Sequence, residues 1–217
     1  MSPTHSAQED ILQQLAKVRI IPVLSVDDPD QAEACCHALM AGGLPCVEIA
    51  CRTPTATDAI HRAARIDGLL VGAGTILSPD QARAAVEAGA RFGVAPGTNE
   101  TVVDACRQLG LPFFPGVATP TEIDRARSLG LHTLKVFPAS TIGGVGFLKA
   151  VAAAYPDVGF VPTGGIDAGS LGEYLSLPCV IACGGSWLVK DSVVRAGRFT
   201  EIDRLAREGV EIVRGFA

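Results

Sequence analysis

Short apolar runs rich in β-branched residues recur at Ile20–Leu24, Cys46–Ala50, Leu69–Ala73, Arg91–Ala95, Pro112–Gly116, Thr133–Phe137, Gly159–Thr163 and Cys179–Cys183. Each is followed by turn residues and then by a longer stretch with helical spacing, which predicts eight strand–helix units at a period of roughly 20–26 residues. Three helix starts carry the same signal. Asp28-Pro29-Asp30-Gln31, Ser78-Pro79-Asp80-Gln81 and Thr119-Pro120-Thr121-Glu122 each put a capping side chain before proline, with Gln or Glu at the third helical position, and so predict capping boxes. Gly42-Gly43, Gly89, Gly110 and Gly130 predict left-handed helix stops.

Strands alternating with helices at this spacing must pair in parallel, and eight such units close into a (β/α)8 barrel. An open doubly wound sheet would place a glycine-rich turn after the first strand, where this chain has Val23-Leu24-Ser25-Val26-Asp27. Two further helices are expected, one N-terminal around residues 8–16 and one C-terminal around residues 201–213, where Ile202, Leu205, Ala206, Ile212 and Val213 fall on one face. The expected α/β fold is thus a single barrel domain over residues 1–217, with an extra N-terminal helix and a C-terminal helix.

The 217 residues are 48% hydrophobic, enough for a sizeable core, and this excludes intrinsic disorder. With 19% charged and 5% aromatic residues and a net charge of -5, the chain lacks the basic and stacking groups that grip nucleic acid. Met1–Glu9 shows neither a basic nor an apolar signal segment, and the longest uncharged stretch, Tyr174–Val189, is interrupted by Ser176, Pro178, Gly184, Gly185 and Ser186. Neither a secretory signal nor a membrane span is expected. Seven cysteines without C-x-x-C sit in apolar runs, as small hydrophobes do in a reducing cytoplasm.

In a barrel of this kind the chemistry sits at the carboxyl ends of the strands. Period-2 geometry places Glu48 and Arg52 on one face of the second strand, opposite Val47, Ile49 and Cys51. It likewise places Lys135 with Thr133 and Phe137, opposite Leu134 and Val136. Both Glu48 and Lys135 therefore point into the barrel, where a charge is costly unless it is paired or used. One reading is a structural ion pair. The other is covalent catalysis: desolvation favours the free amine of a lysine, which adds to a carbonyl carbon to give a Schiff base, and a neighbouring carboxylate moves protons.

The seventh and eighth strand ends carry Thr163-Gly164-Gly165-Ile166 and Gly184-Gly185-Ser186, loops whose backbone N–H groups suit a phosphate. Arg52 and Thr75 could together hold a carboxylate. None of His5, His37, His61 and His132 forms H-x-H or H-E-x-x-H, so no metal and no cofactor are expected. A metal-independent phosphosugar isomerase or epimerase, or a non-catalytic sugar-phosphate-binding barrel, would use the same glycine loops.

From about Ile21 to the C-terminal helix the chain resembles the 2-keto-3-deoxy-6-phosphogluconate and 4-hydroxy-2-oxoglutarate aldolases. The likeness runs through Val47-Glu48-Ile49 with Arg52-Thr53, Val71-Gly72-Ala73-Gly74-Thr75, Ala95-Pro96-Gly97, Lys135-Val136-Phe137-Pro138-Ala139, Pro162-Thr163-Gly164-Gly165-Ile166 and Gly184-Gly185-Ser186-Trp187-Leu188-Val189. The resemblance implies a homotrimeric, cytoplasmic Schiff-base aldolase of the Entner–Doudoroff pathway acting on a small 2-keto acid phosphate. It further implies Lys135 as the imine-forming lysine, Glu48 as the proton shuttle and Arg52 and Thr75 as ligands of the pyruvyl carboxylate. Pro96, Phe137 and Thr163 would contact substrate, and Gly164, Gly165, Gly185 and Ser186 would bind the phosphorylated end together with Thr163. The chain departs from the family pattern at Ser140-Thr141-Ile142, where phosphogluconate-specific members often carry Glu after the alanine. It also lacks, at Pro22-Val23-Leu24-Ser25, the basic residue that some relatives place near the phosphate.

Overall fold

The structure, a computed structural model, describes residues 3–216; Met1, Ser2 and Ala217 lie outside the described residues, as does the side chain of His5. A helix α1 (Pro3–Val18) precedes the first strand, β1 (Ile20–Leu24). Strands and helices then alternate through α2 (Pro29–Ala41), β2 (Cys46–Ala50), α3 (Ala56–Ala63), β3 (Leu70–Gly74), α4 (Pro79–Glu87), β4 (Phe92–Val94) and α5 (Glu100–Gln108). The second half runs β5 (Phe113–Phe114), β6 (Gly116–Val117), α6 (Pro120–Ser128), β7 (Thr133–Val136), α7 (Gly144–Ala154), β8 (Gly159–Pro162), α8 (Ala168–Leu175), β9 (Cys183–Gly185), α9 (Asp191–Arg195) and α10 (Phe199–Arg214).

All the pairings are parallel, in the orders β5-β4-β3-β2-β1-β9 and β6-β7-β8. The segments β5 and β6 are two halves of the expected fifth strand, separated by Pro115, which has no N–H to give to a ladder. Its carbonyl still accepts the N–H of Lys135 at 2.9 Å. Single bridges, Phe160 to Val180 and Thr163 to Gly184, join β8 to the last strand segment, so the expected (β/α)8 barrel closes.

The expected eighth strand lies later than the apolar run that suggested it. Residues 179–182 enter the barrel through one bridge only, at Val180, and regular pairing begins at Cys183, in register with Ile20. Pairing with β1, rather than side-chain hydrophobicity, sets this strand. Reciprocal capping is complete at Thr119 and Glu122 alone of the three expected boxes. Asp28 accepts from the N–H of Asp30 instead of Gln31, and the Gln81 side chain accepts from Leu77, one residue before its cap. The glycine stops are left-handed at Gly43, Gly89, Gly110 and Gly130.

Two buried clusters result. One fills the space between strands and helices; the other joins Ile11 and Leu15 of α1 to Ile21, Cys46, Leu70, Phe92, Phe114 and Val161 inside the barrel. Because Cys46, Leu70 and Phe92 begin their strands, α1 plugs the amino-terminal end and leaves the carboxyl-terminal end open. Each large side chain so buried contributes about 1.5–3 kcal/mol. The C-terminal helix α10 packs against α2 and α8, filling the place in the helical ring that follows β9.

Candidate active site

Alternation along β2 and β7 works as their sequences require. Val47, Ile49, Leu134 and Val136 join the outer cluster, which turns Glu48 and Lys135 inward, where they are 2% and 5% exposed. The Lys135 ammonium lies 3.2 Å from Glu48 Oε1 and 3.4 Å from Oε2, and 5.9 Å from the centre of the Phe137 ring. The remaining lysines, Lys17, Lys149 and Lys190, are exposed. A buried pair of this kind gains little net stability, because desolvating two charges offsets their attraction; removing one partner, by contrast, costs about 3–5 kcal/mol. Net stability alone therefore does not account for the pair.

Glu48 fits because its neighbour on β3 has no side chain: a Cβ on Gly74 would stand 2.7 Å from Glu48 Cγ and 2.8 Å from its carboxyl carbon. The next residue, Thr75, has φ +58°, a left-handed backbone that a β-branched residue adopts only under strain of about 1–3 kcal/mol. There its Oγ1 accepts from Arg52 Nε at 3.3 Å. Strand end β2 and strand end β3 are thus tied together at the mouth of the barrel.

Thr163, 6% exposed, directly follows β8. Its carbonyl accepts from Ala139 N–H at 2.8 Å and that of Gly164 accepts from Ser140 N–H at 3.0 Å, which stitches the glycine loop to the segment after Lys135. A cavity of about 690 Å³ opens above these residues and is lined by Arg52, Phe137, Thr163, Gly164, Gly165, Gly185 and Ser186 among others. Of the residues expected at a site, these seven share one cleft, Lys135 and Glu48 form the contact at the barrel centre, and Thr75 joins through Arg52. Pro96 follows β4 and is exposed; like Lys135, Glu48 and Thr75 it is not among the residues lining this cleft, and its carbonyl packs against Gly116, the register partner of Lys135.

Packing also demands the glycines. A Cβ on Gly185 would run into the Trp187 ring, and one on Gly165 into the Ser140 hydroxyl, so these positions answer to side-chain packing as well as to any approaching anion. Trp187 and Lys190, with Asp27, Asp191 and Arg195, line the cleft too and were not singled out from the sequence. The available signal was position: Trp187 follows directly on Gly185-Ser186, and Lys190 comes four positions after Ser186.

The seven cysteines are unpaired. Burial pushes the Cys51 thiol up to about 11 and that of Cys183 to about 12, which removes a thiolate nucleophile at neutral pH. Among the described residues no group of three or more His, Cys, Asp or Glu could hold a metal ion. Among the described residues no helix is long and apolar enough to cross a membrane.

Residues 11–205 match the KDPG and KHG aldolase family. The chain is 42% identical over 204 residues to the 2-dehydro-3-deoxy-phosphogluconate aldolase of Treponema pallidum, covering 94% of this chain and 97% of that one. The crystal structure of the 2-keto-3-deoxy-6-phosphogluconate aldolase of Zymomonas mobilis with 3-phosphoglycerate superposes with a TM-score of 0.85 at 35% identity, covering 91% of this chain and 94% of that one. The KDPG aldolase of Legionella pneumophila, with pyruvate captured as a covalent carbinolamine, gives 0.85 at 35% identity, covering 89% and 97%. With a barrel closed around a buried lysine–glutamate pair and likeness along nearly its whole length, the chain belongs to the KDPG and KHG aldolase family.

Proposed function

We propose that the protein cleaves 2-keto-3-deoxy-6-phosphogluconate to pyruvate and glyceraldehyde 3-phosphate, with Lys135 as the imine-forming residue and Glu48 as its proton shuttle. The observation that carries this reading is the 3.2 Å contact between Lys135 Nζ and Glu48 Oε1 inside the barrel, open to the cleft end and closed below by α1. The carbinolamine captured in the Legionella relative is the adduct such a lysine makes with pyruvate.

Lys135 adds to the 2-keto carbon and, with loss of water, forms a protonated imine. Glu48 takes the proton of the carbon-4 hydroxyl; the bond between carbons 3 and 4 breaks, its electron pair moves into the imine, and the aldehyde leaves. Glu48 returns the proton to carbon 3 of the enamine, and water releases pyruvate. Arg52 and Thr75 hold the carboxylate, Thr163 and Phe137 flank the bound chain, and Gly164, Gly165, Gly185 and Ser186 meet the phosphate. Pro96, at the end of β4 with its carbonyl against Gly116 beside Lys135, completes the proposed substrate contacts.

The reading includes a cytoplasmic homotrimer that acts on a small phosphorylated 2-keto acid and not on nucleic acid; the family resemblance and the net charge of -5 support it. Steady-state release of pyruvate from 2-keto-3-deoxy-6-phosphogluconate tests the activity. The rate is expected to persist unchanged after exhaustive chelation, since the imine supplies the electron sink. Restoration by added zinc or magnesium after a loss would indicate a metal-dependent lyase, and rearrangement of a phosphosugar without pyruvate would indicate an isomerase.

The strained Thr75 yields a separate expectation. Glycine adopts φ +58° without the steric cost, so Thr75→Gly is expected to raise unfolding stability by about 1 kcal/mol. The same change removes the hydroxyl that orients Arg52, so KM for the keto acid should rise. Denaturant unfolding alongside steady-state kinetics checks both; a variant that is less stable, with unchanged KM, would show that Thr75 serves packing.

A further inference from the structure

At the outer end of the cleft lies a cation for which the catalytic cycle above has no use. Lys190 lines the cleft beside Gly164, Gly165, Gly185 and Ser186. Its backbone is fixed: its carbonyl accepts from Val193 N–H at 2.9 Å and from Val194 N–H at 3.0 Å, and the preceding Trp187–Val189 form a buried 3-10 turn. The side chain therefore leaves a rigid corner just beyond the second glycine loop.

Charge pairing singles out Lys190 among the cations of the cleft. Arg195 is held by Asp191 at 2.9 Å and faces Asp27 at 3.6 Å. Arg52 sits at the other end, bonded to Thr75. Lys190 forms no ion pair within 4.0 Å among the described residues. Asp167, close enough to feel its field, is already engaged by the N–H and hydroxyl of Ser170, each at 3.0 Å. Backbone N–H groups of glycine loops give a phosphate direction and partial charge but no full counter-charge. A phosphate monoester near its dianionic form needs one.

We propose that Lys190 is a specificity-determining residue whose ammonium meets the phosphate monoester end of the substrate, while Arg52 takes the carboxylate at the other end. This rests on the aldolase reading and adds to it a charge-based selection for phosphorylated over unphosphorylated substrate. Since the side chain is exposed, its effect is screened by salt.

The test compares wild type, Lys190→Gln and Lys190→Arg on 2-keto-3-deoxy-6-phosphogluconate and on the same sugar acid without phosphate. Lys190→Gln is expected to raise KM about tenfold for the phosphorylated substrate, with kcat and the unphosphorylated substrate unaffected. Lys190→Arg should restore most of the loss, and the rise of wild-type KM with salt should flatten in Lys190→Gln. Equal effects on both substrates, or none on either, would overturn the proposal. Failure of the aldolase reading would appear separately, as no pyruvate from wild type. In that case fluorescence of Trp187, the single tryptophan, still reads binding of glycerol 3-phosphate, and equal affinity of wild type and Lys190→Gln would overturn the Lys190 role without any turnover.

Discussion

Incubated with pyruvate and borohydride, the protein is expected to gain one reduced pyruvyl group, at Lys135, and Lys135→Met is expected to lose both this labelling and turnover by a factor on the order of 10⁵–10⁶, the scale at which removing a covalent nucleophile acts. The other three lysines are exposed and lack a buried carboxylate, so peptide mass spectrometry should find them unmodified. A dominant adduct at Lys17, Lys149 or Lys190 would remove Lys135 from its role. Lys135→Met also leaves Glu48 as a buried charge without its partner, at a cost of about 3–5 kcal/mol. The double variant Lys135→Met, Glu48→Gln should recover most of that stability while remaining inactive. This separates the loss of chemistry from the loss of fold: recovery of activity with stability would mean that the pair is structural.

Glu48→Gln alone should fold, keep Lys135 trappable by pyruvate and lose roughly 10²–10⁴ in rate, the usual worth of general acid–base catalysis. The amide preserves shape and a hydrogen bond to the ammonium at the 3.2 Å position but carries no proton to the substrate. Exchange of solvent deuterium into the pyruvate methyl group isolates the step, because it requires the enamine and its reprotonation but no aldehyde. Near-normal exchange in the folded variant would assign the proton transfer to another group or to water.

The inward direction of Glu48 and Lys135 was legible because it depends on the two-residue period of a strand and on which neighbours are apolar. The glycine pairs at the seventh and eighth strand ends were legible for the same local reason, and Gly164, Gly165 and Gly185 do line one cleft with Arg52 and Phe137. Pro96 shows the limit: its place after β4 was legible, but its packing against Gly116, the register partner of Lys135, is a tertiary contact that no local pattern gives. The capping motifs show another, for a Gln side chain has enough reach to choose Leu77 N–H over that of its own cap.

By itself the sequence determined the repeating strand–helix order, the left-handed glycine stops and the strand faces on which Glu48 and Lys135 stand, because these follow from backbone geometry over a few residues. Only the tertiary structure decided which of them meet. Glu48 and Lys135 are 87 positions apart, and their contact depends on the stagger of strands in the closed barrel and on the bare Cα of Gly74 beneath the carboxylate. The eighth strand took its register from Ile20 rather than from its own apolar run, since closing the barrel pairs backbones whatever their side chains. Lys190, unremarkable in the sequence, follows the turn at Trp187–Val189 and lines one cleft with Gly164 and Gly165, which come from another part of the chain.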